Sequence, residues 1–127
     1  MTSLQDQIDA AYKKKVVQPH ENLVRKTALM AFANIGLATP VKSGRARANW
    51  NISVDTVDGK TTDSTDQPDY VTKAMSAIAN FVIGKTIYIS NNLPYIKRLN
   101  DGYSKQAPAN FVETGVALAK RQAKGGK

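Results

Sequence analysis

Apolar residues recur along the chain with two different periods, and the change from one to the other outlines the fold. In TSLQDQIDAAYKK, Thr2 and Ser3 are capping residue types, and Leu4, Ile8, Ala11 and Lys15 fall on one stripe at helical spacing, predicting an amphipathic N-terminal helix over residues 1–18. Pro19 is expected to interrupt it and to serve as the first residue of a second helix through HENLVRKTALMAFANIGLA, with Glu21 at the positive end of the dipole. From Ala28 to Ala38 that helix is apolar nearly all round. It should form the centre of the core and stop at Thr39, ahead of Pro40.

Beyond the Ser43-Gly44 turn signal the period drops to two. Ala46, Ala48, Trp50, Ile52 and Val54 alternate with Arg45, Arg47, Asn49, Asn51, Ser53 and Asp55, a strand with one face on the core and one polar face. Its first residues fit a helical turn equally well, and Trp50 is its main buried anchor. The segment 55–69 is rich in Asp, Thr, Ser, Gly and Pro and predicts a long mobile loop, with a hairpin about Asp58-Gly59. Asp69 then caps a middle helix through YVTKAMSAIANFVI, with Val71, Met75, Ile78 and Val82 inward and Gly84 as its stop. KTIYIS predicts a short strand with Ile87 and Ile89 inward. Asn91-Asn92 turns the chain, Pro94 starts a short helix with Ile96 and Leu99 on the core, and Gly102 ends it. Pro108 starts a last helix with Phe111, Gly115 and Leu118 on one stripe, followed by a disordered tail at 124–127. The order predicts one α+β domain spanning 1–127, a small antiparallel sheet with the helices packed against it.

Composition narrows what such a domain does. At 127 residues the chain is long enough to bury roughly two thirds of its unfolded surface in one core. The absence of cysteine excludes disulfides, thiolate metal sites and cysteine nucleophiles. The N-terminal stretch has neither the charge order of a signal peptide nor the apolar length of a membrane span, so a protein soluble when made and a site without membrane is expected. The net charge of +8 points to an acidic partner. Within 55–69 stand Asp55, Asp58, Asp63, Asp66 and Asp69 against Lys60, a local −4 that leaves +12 for the rest of the chain. Two oppositely charged regions in one small domain suit head-to-tail contact between neighbouring copies, as well as plain solvation. The acids miss the ligand spacing of an EF-hand, and no metal site is expected.

Catalysis finds no support in the sequence. The sole histidine, His20, stands at the expected helix start beside Glu21, where capping or solvation suffices, and neither HExxH nor a phosphate-binding glycine loop occurs. No catalytic residue and no cofactor are predicted. Lys13, Lys14, Lys15, Arg45, Arg47, Lys97, Arg98, Lys120, Arg121, Lys124 and Lys127 supply the cations of a phosphate-binding surface, but no readout motif accompanies them.

TPVKSGRARANW, with Thr39, Pro40, Val41, Ser43, Gly44 and Arg45, is followed about forty residues later by IYISNNLPYIKRLNDGYSKQAP, with Asn91, Asn92, Pro94, Tyr95, Gly102, Tyr103 and Ser104. The two together, within residues 20–122, resemble the minor tail-component or tail-completion family of long-tailed double-stranded DNA bacteriophages. The resemblance implies a non-catalytic virion protein of the neck or tail, made in the host cytoplasm. It implies a hexameric or dodecameric ring that contacts head-side connector proteins and tail terminator or tail tube proteins, and through which genomic DNA passes without sequence-specific binding. A tail terminator of the same fold group and a basic DNA-binding module are the alternatives. The interface residues expected on this reading are Arg45, Arg47, Trp50, Asp63, Asp66, Asp69, Tyr95, Lys97, Arg98, Tyr103 and Lys105, since tyrosine and arginine are enriched where surfaces become buried.

Overall fold

A computed structural model describes residues 3–41, 44–102 and 109–124. Ser43, Tyr103, Ser104, Lys105, Pro108 and the tail from 125 onward, all singled out by the sequence, lie outside the described residues.

Ser3 caps the first helix, its hydroxyl accepting from the Asp6 amide at 3.0 Å. Helix α1 (Leu4–Tyr12) then runs through a π-helical turn (Lys13–Val17) into α2 (Gln18–Ala38), so the expected break at Pro19 does not occur. Proline has no N–H for the carbonyl four residues back, and in a regular helix its ring collides with that carbonyl. Directly ahead of Pro19 the helix widens: the Gln18 amide donates to Lys13, five residues back. A wider turn lets the helix pass the proline without ending. Glu21 accordingly marks no free helix end. It is buried, and its carboxylate accepts from the Ile83 amide at 2.9 Å, while Arg25 one turn on donates to the Phe81 carbonyl at 2.7 Å.

The helix stops at Thr39, as Pro40 requires. After Gly44, in the left-handed region at φ 80°, residues Arg45–Ala48 form the short helix α3, the helical alternative for the start of the alternating stretch. Strand β1 (Trp50–Val54) pairs antiparallel with β2 (Ile87–Asn91), from Trp50 opposite Asn91 to Val54 opposite Ile87. The hairpin expected about Asp58-Gly59 is absent; the partner strand arrives only after a further helix. That helix, α4 (Tyr70–Ile78), carries its cap at Asp69 but buries Tyr70, Ala74 and Ile78, leaving Val71, Met75 and Val82 exposed, contrary to the expected stripe. The Tyr70 ring lies over Gly36 of α2, where a Cβ would collide with it, and this approach turns Tyr70 and Ala74 inward with Ile78 in place of Val71 and Met75. The helix also ends at Ile78, short of the Gly84 stop, because Phe81 turns into the core.

Pro94 sits in a turn and α5 (Ile96–Asn100) begins two residues later, with Ile96 and Leu99 against the core and Gly102 at φ 97° ending it. In α6 (Phe111–Ala123) the buried stripe is Phe111, Gly115, Ala119 and Ala123, while Leu118 is exposed. A Cβ on Gly115 would stand 3.0 Å from the Ile35 side chain and 3.3 Å from its amide nitrogen, so glycine there lets α6 lie against α2. The core gathers Phe32, Ile35, Trp50, Ile52, Tyr70, Ala74, Ile78 and Phe111, with the Phe32 and Tyr70 rings edge to face at 5.5 Å. The expected α+β architecture is the one observed.

Candidate functional site

The residues that the sequence singles out converge around the end of α2, α3 and the start of the sheet. Thr39 is fully buried, and its hydroxyl donates to the Ile35 carbonyl at 2.6 Å while accepting the indole N–H of Trp50 at 2.8 Å. Arg47 points back across the same corner, donating to the carbonyls of Thr39 (2.8 Å) and Leu37 (2.6 Å) and to the Gln67 side chain (2.6 Å). The guanidinium thus satisfies carbonyls that the helix end leaves open. The Tyr70 hydroxyl donates to the Arg47 carbonyl at 2.8 Å, and burial raises its pKa to about 12.

The strand's polar face does not point to water. Asn49 is 1% exposed: its amide nitrogen donates to the carbonyls of Arg45 (2.8 Å) and Thr62 (2.9 Å), and its oxygen accepts from the Thr62 amide (2.8 Å). Asn51, also buried, donates to the Lys60 carbonyl at 3.0 Å. From β2 and the residue after it, Ser90 reaches the Asp58 carbonyl, and Asn92 reaches those of Asp58 and Lys60. Short polar side chains on both strands therefore hold the Asp-rich segment at Asp58, Lys60 and Thr62. Such side chains compete well for backbone groups, which their reading as simply the strand's polar face left unstated. The signal available in the sequence was the choice of uncharged Asn at alternate positions, where a solvent face would more commonly carry charge.

A polar hollow of about 330 Å³ remains beneath that segment, lined by Asn49, Asn51, Asp58, Lys60, Thr62 and Lys73. Lys73 donates to the Trp50 carbonyl at 2.6 Å and its ammonium lies 5.9 Å from the centre of the Phe32 ring. Burial lowers its pKa and Asp58 partly opposes the shift. The amine is engaged by backbone and ring, and His20 is exposed on α2 away from the hollow. Among the described residues, no three His, Cys, Asp or Glu stand close enough to hold a metal ion.

The expected interface residues fare differently. Trp50 is a core residue, 5% exposed, and supports the surface from beneath instead of facing a partner. Arg47 is committed to the helix end. Arg45 donates to the Thr62 carbonyl and pairs with Asp63 at 3.3 Å, with the carboxylate almost fully exposed, so the two charges stay at the surface. Asp66 is exposed, whereas Asp69 caps α4: its carboxylate accepts from the Thr72 amide and hydroxyl, and these bonds hold its pKa below the usual carboxylate range. Tyr95 is half-buried; Lys97 is exposed and pairs with Asp101 at 2.9 Å; Arg98 is exposed. The acids at 63 and 66 and the cations at 97 and 98 therefore remain at the surface.

The two sequence motifs are thus parts of one assembly: Trp50 stands opposite Asn91 in the ladder, and the Asn91 side chain donates to the Ala46 carbonyl at 3.0 Å. No family model, curated protein or solved structure matches the chain.

Two further surfaces stay open: the N-terminal stripe, expected as one of the helices packed against the sheet, and a groove that the sequence did not suggest. The whole of Ser3–Val16 is exposed, including Leu4, Ile8, Tyr12 and Val16. An open, largely apolar groove of about 340 Å³ runs between α2 and α6, lined by Leu37, Ala38, Phe111, Gly115 and Leu118 among others. No helix is long and apolar enough to cross a membrane among the described residues.

Proposed function

We infer that this chain is a structural virion protein of the neck or tail of a long-tailed DNA bacteriophage, assembling with copies of itself into a ring that helps join the tail to the filled head. The observation that carries the reading is the union of the two motifs. The segments on which the family resemblance rests, forty residues apart in sequence, meet through the Trp50–Asn91 pairing and the Asn91–Ala46 bond. Their polar residues are engaged in fixing the corner of a scaffold, which suits a part that must hold its shape under load.

Surface chemistry supports the same reading. Asp63 and Asp66 lie on one exposed segment, and Lys97 and Arg98 on another, giving a neighbour both signs to dock against. In this arrangement head-side connector proteins and tail proteins flank the ring and the genome passes through it. The cations then serve protein contacts, since a channel that gripped DNA would obstruct its exit. The test is direct imaging: the purified chain by electron microscopy, and intact particles carrying a labelled copy. Rings in solution together with density at the head-tail junction are expected. A chain absent from particles, with duplex binding that falls steeply with salt, would replace this reading by the DNA-binding one.

A further inference from the structure

The two-stranded sheet has two outer edges, and the fold treats them differently. The Asp55 amide donates to the Thr86 carbonyl at 2.7 Å, which makes 55 and 86 a hydrogen-bonded pair and, by alternation, 53 with 88 and 51 with 90. Trp50, Ile52 and Val54 on β1, and Ile87, Ile89 and Asn91 on β2, therefore turn their main-chain groups outward. On β1 that outer row is partly taken: the Trp50 carbonyl accepts from Lys73 at 2.6 Å and the Val54 carbonyl from the Thr56 amide at 2.9 Å. On β2 no hydrogen bond from a described residue reaches the outward main-chain groups of Ile87, Ile89 or Asn91.

An open row of N–H and C=O groups is a template for another extended chain. Edge strands that must stay single are blunted by charge, proline or a bulge, and Ile87–Asn91 carries none of these: residues 86–96 hold no charged side chain, Pro94 lies beyond the strand, and the pairing with β1 is unbroken. The strand is also incompletely covered. Trp50, Asn51 and Ile52 across the ladder are buried, whereas Ile87 and Ile89, which pack against the same core, are only half-buried, and no residue of β2 is fully buried.

Charge and symmetry select the occupant. A nucleic acid or an acidic protein surface would need cations, and this edge has none. Two copies of a chain of net charge +8 repel one another in general, so a contact between copies belongs on a neutral stretch, and 86–96 is neutral throughout. Antiparallel pairing about a two-fold axis at Ile89 brings every outward group of β2 against an outward group: Ile89 meets Ile89 of the other copy, and Ile87 meets its Asn91. On the polar face Tyr88 then meets Ser90 of the other copy, with no charge on either side.

We propose that β2 pairs with β2 of a second copy, antiparallel and centred on Ile89, joining the two sheets into one of four strands in the order β1-β2-β2-β1. The contact is isologous and closes on itself. It goes beyond the ring reading and does not depend on it: a ring is built through other faces, and this edge couples its copies in pairs.

The test uses the full chain, whose lack of cysteine lets single introduced cysteines report the register. In the paired strands residue 88 of one copy and residue 90 of the other form a narrow pair with Cα atoms about 4.5 Å apart, within the span of a disulfide. Two copies of residue 88, or of residue 90, stand diagonally at about 7–8 Å, outside it. Tyr88→Cys mixed with Ser90→Cys should therefore crosslink under mild oxidation on the order of tenfold more than either variant alone. Tyr88→Lys and Tyr88→Glu, at an exposed position, should keep the thermal midpoint. Each alone should raise the dissociation constant of the dimer on the order of tenfold, and a one-to-one mixture should restore it, as read by light scattering after size exclusion. If the cysteine mixture crosslinks no more than its components, or both charge variants pair like the unmodified chain, or the unmodified chain is monomeric at every concentration, the edge contact is wrong, while a ring read from intact particles still stands. A chain absent from particles that gives both signatures would overturn the ring and uphold the contact.

Discussion

Thr39→Val should expose how much of the scaffold depends on one hydroxyl. The substitution keeps the shape and removes the oxygen that accepts the Trp50 indole N–H at 2.8 Å and donates to Ile35 at 2.6 Å. The Ile35 carbonyl retains the Thr39 amide at 3.1 Å, so it is not orphaned. The indole N–H has no such reserve. Both residues are buried, and a buried donor left without an acceptor costs about 1–3 kcal/mol. For a domain of this size, a loss near the middle of that range lowers the thermal midpoint by about 5–10 °C. Trp50 is the sole tryptophan, so its fluorescence reports urea unfolding directly, and the midpoint should move without a change in slope. The decisive comparison repeats the substitution in a Trp50→Phe background, followed by circular dichroism. With no indole N–H to strand, Thr39→Val should cost much less there. A loss below about 0.5 kcal/mol in the unmodified chain, or an equal loss in both backgrounds, would refute the account.

Three further outcomes follow from the same geometry. Asn49→Ala removes three bonds from a buried side chain and should cost about 1–3 kcal/mol, with faster amide exchange and proteolysis between residues 58 and 63 than elsewhere. Tyr70 has its folded-state pKa raised to about 12, so stability should be flat below the ordinary value of 10 and fall as pH rises from there toward 12; Tyr70→Phe should abolish that fall in an alkaline stability titration. Asp69 has its pKa lowered, so its cap should contribute above the usual carboxylate range and fade as pH falls through the lowered value, and Asp69→Asn, which still caps, should flatten that part of an acid titration.

Where sequence reasoning succeeded, a local rule decided the structure. Asp69 had only to offer a carboxylate at a helix start, Gly102 only to tolerate a positive φ, and Pro40 only to forbid another helical residue before it. Helical periodicity likewise located α2, α4 and α6. It placed Ile78 correctly but Val71 and Met75 wrongly, because the approach of α4 to α2 is set by Gly36 beneath the Tyr70 ring, which periodicity along α4 does not register. Burial of Asn49 and Asn51 depends on contacts thirteen and nine residues further on, and the alternation that put them on the polar face says nothing of what covers it. The same holds for Pro19, whose local meaning is a break; only the widened turn before it lets the helix continue. Of the candidate site, the motif positions were legible as a set, but the division between side chains that hold the corner, such as Arg47 and Asn49, and those at the surface, such as Asp63 and Lys97, required coordinates.

Asn100 closes the junction between α5 and α6. Its carbonyl accepts from the Asn110 amide at 2.6 Å, its side-chain oxygen from the Val112 amide at 2.9 Å, and its amide nitrogen donates to Glu113. The chain leaves at Gly102 and returns at Ala109, whose Cβ lies 3.1 Å from where a Gly102 Cβ would stand. The residues on either side of 103–108 are therefore held by one another, through Asn100 and through the Gly102–Ala109 approach. Closing a loop costs only about 0.6 kcal/mol more for each doubling of its length, so the α5–α6 junction itself sets little limit on how many residues separate its two ends. Asn100 is the position where a substitution would undo three bonds of that junction at once, those to Asn110, Val112 and Glu113.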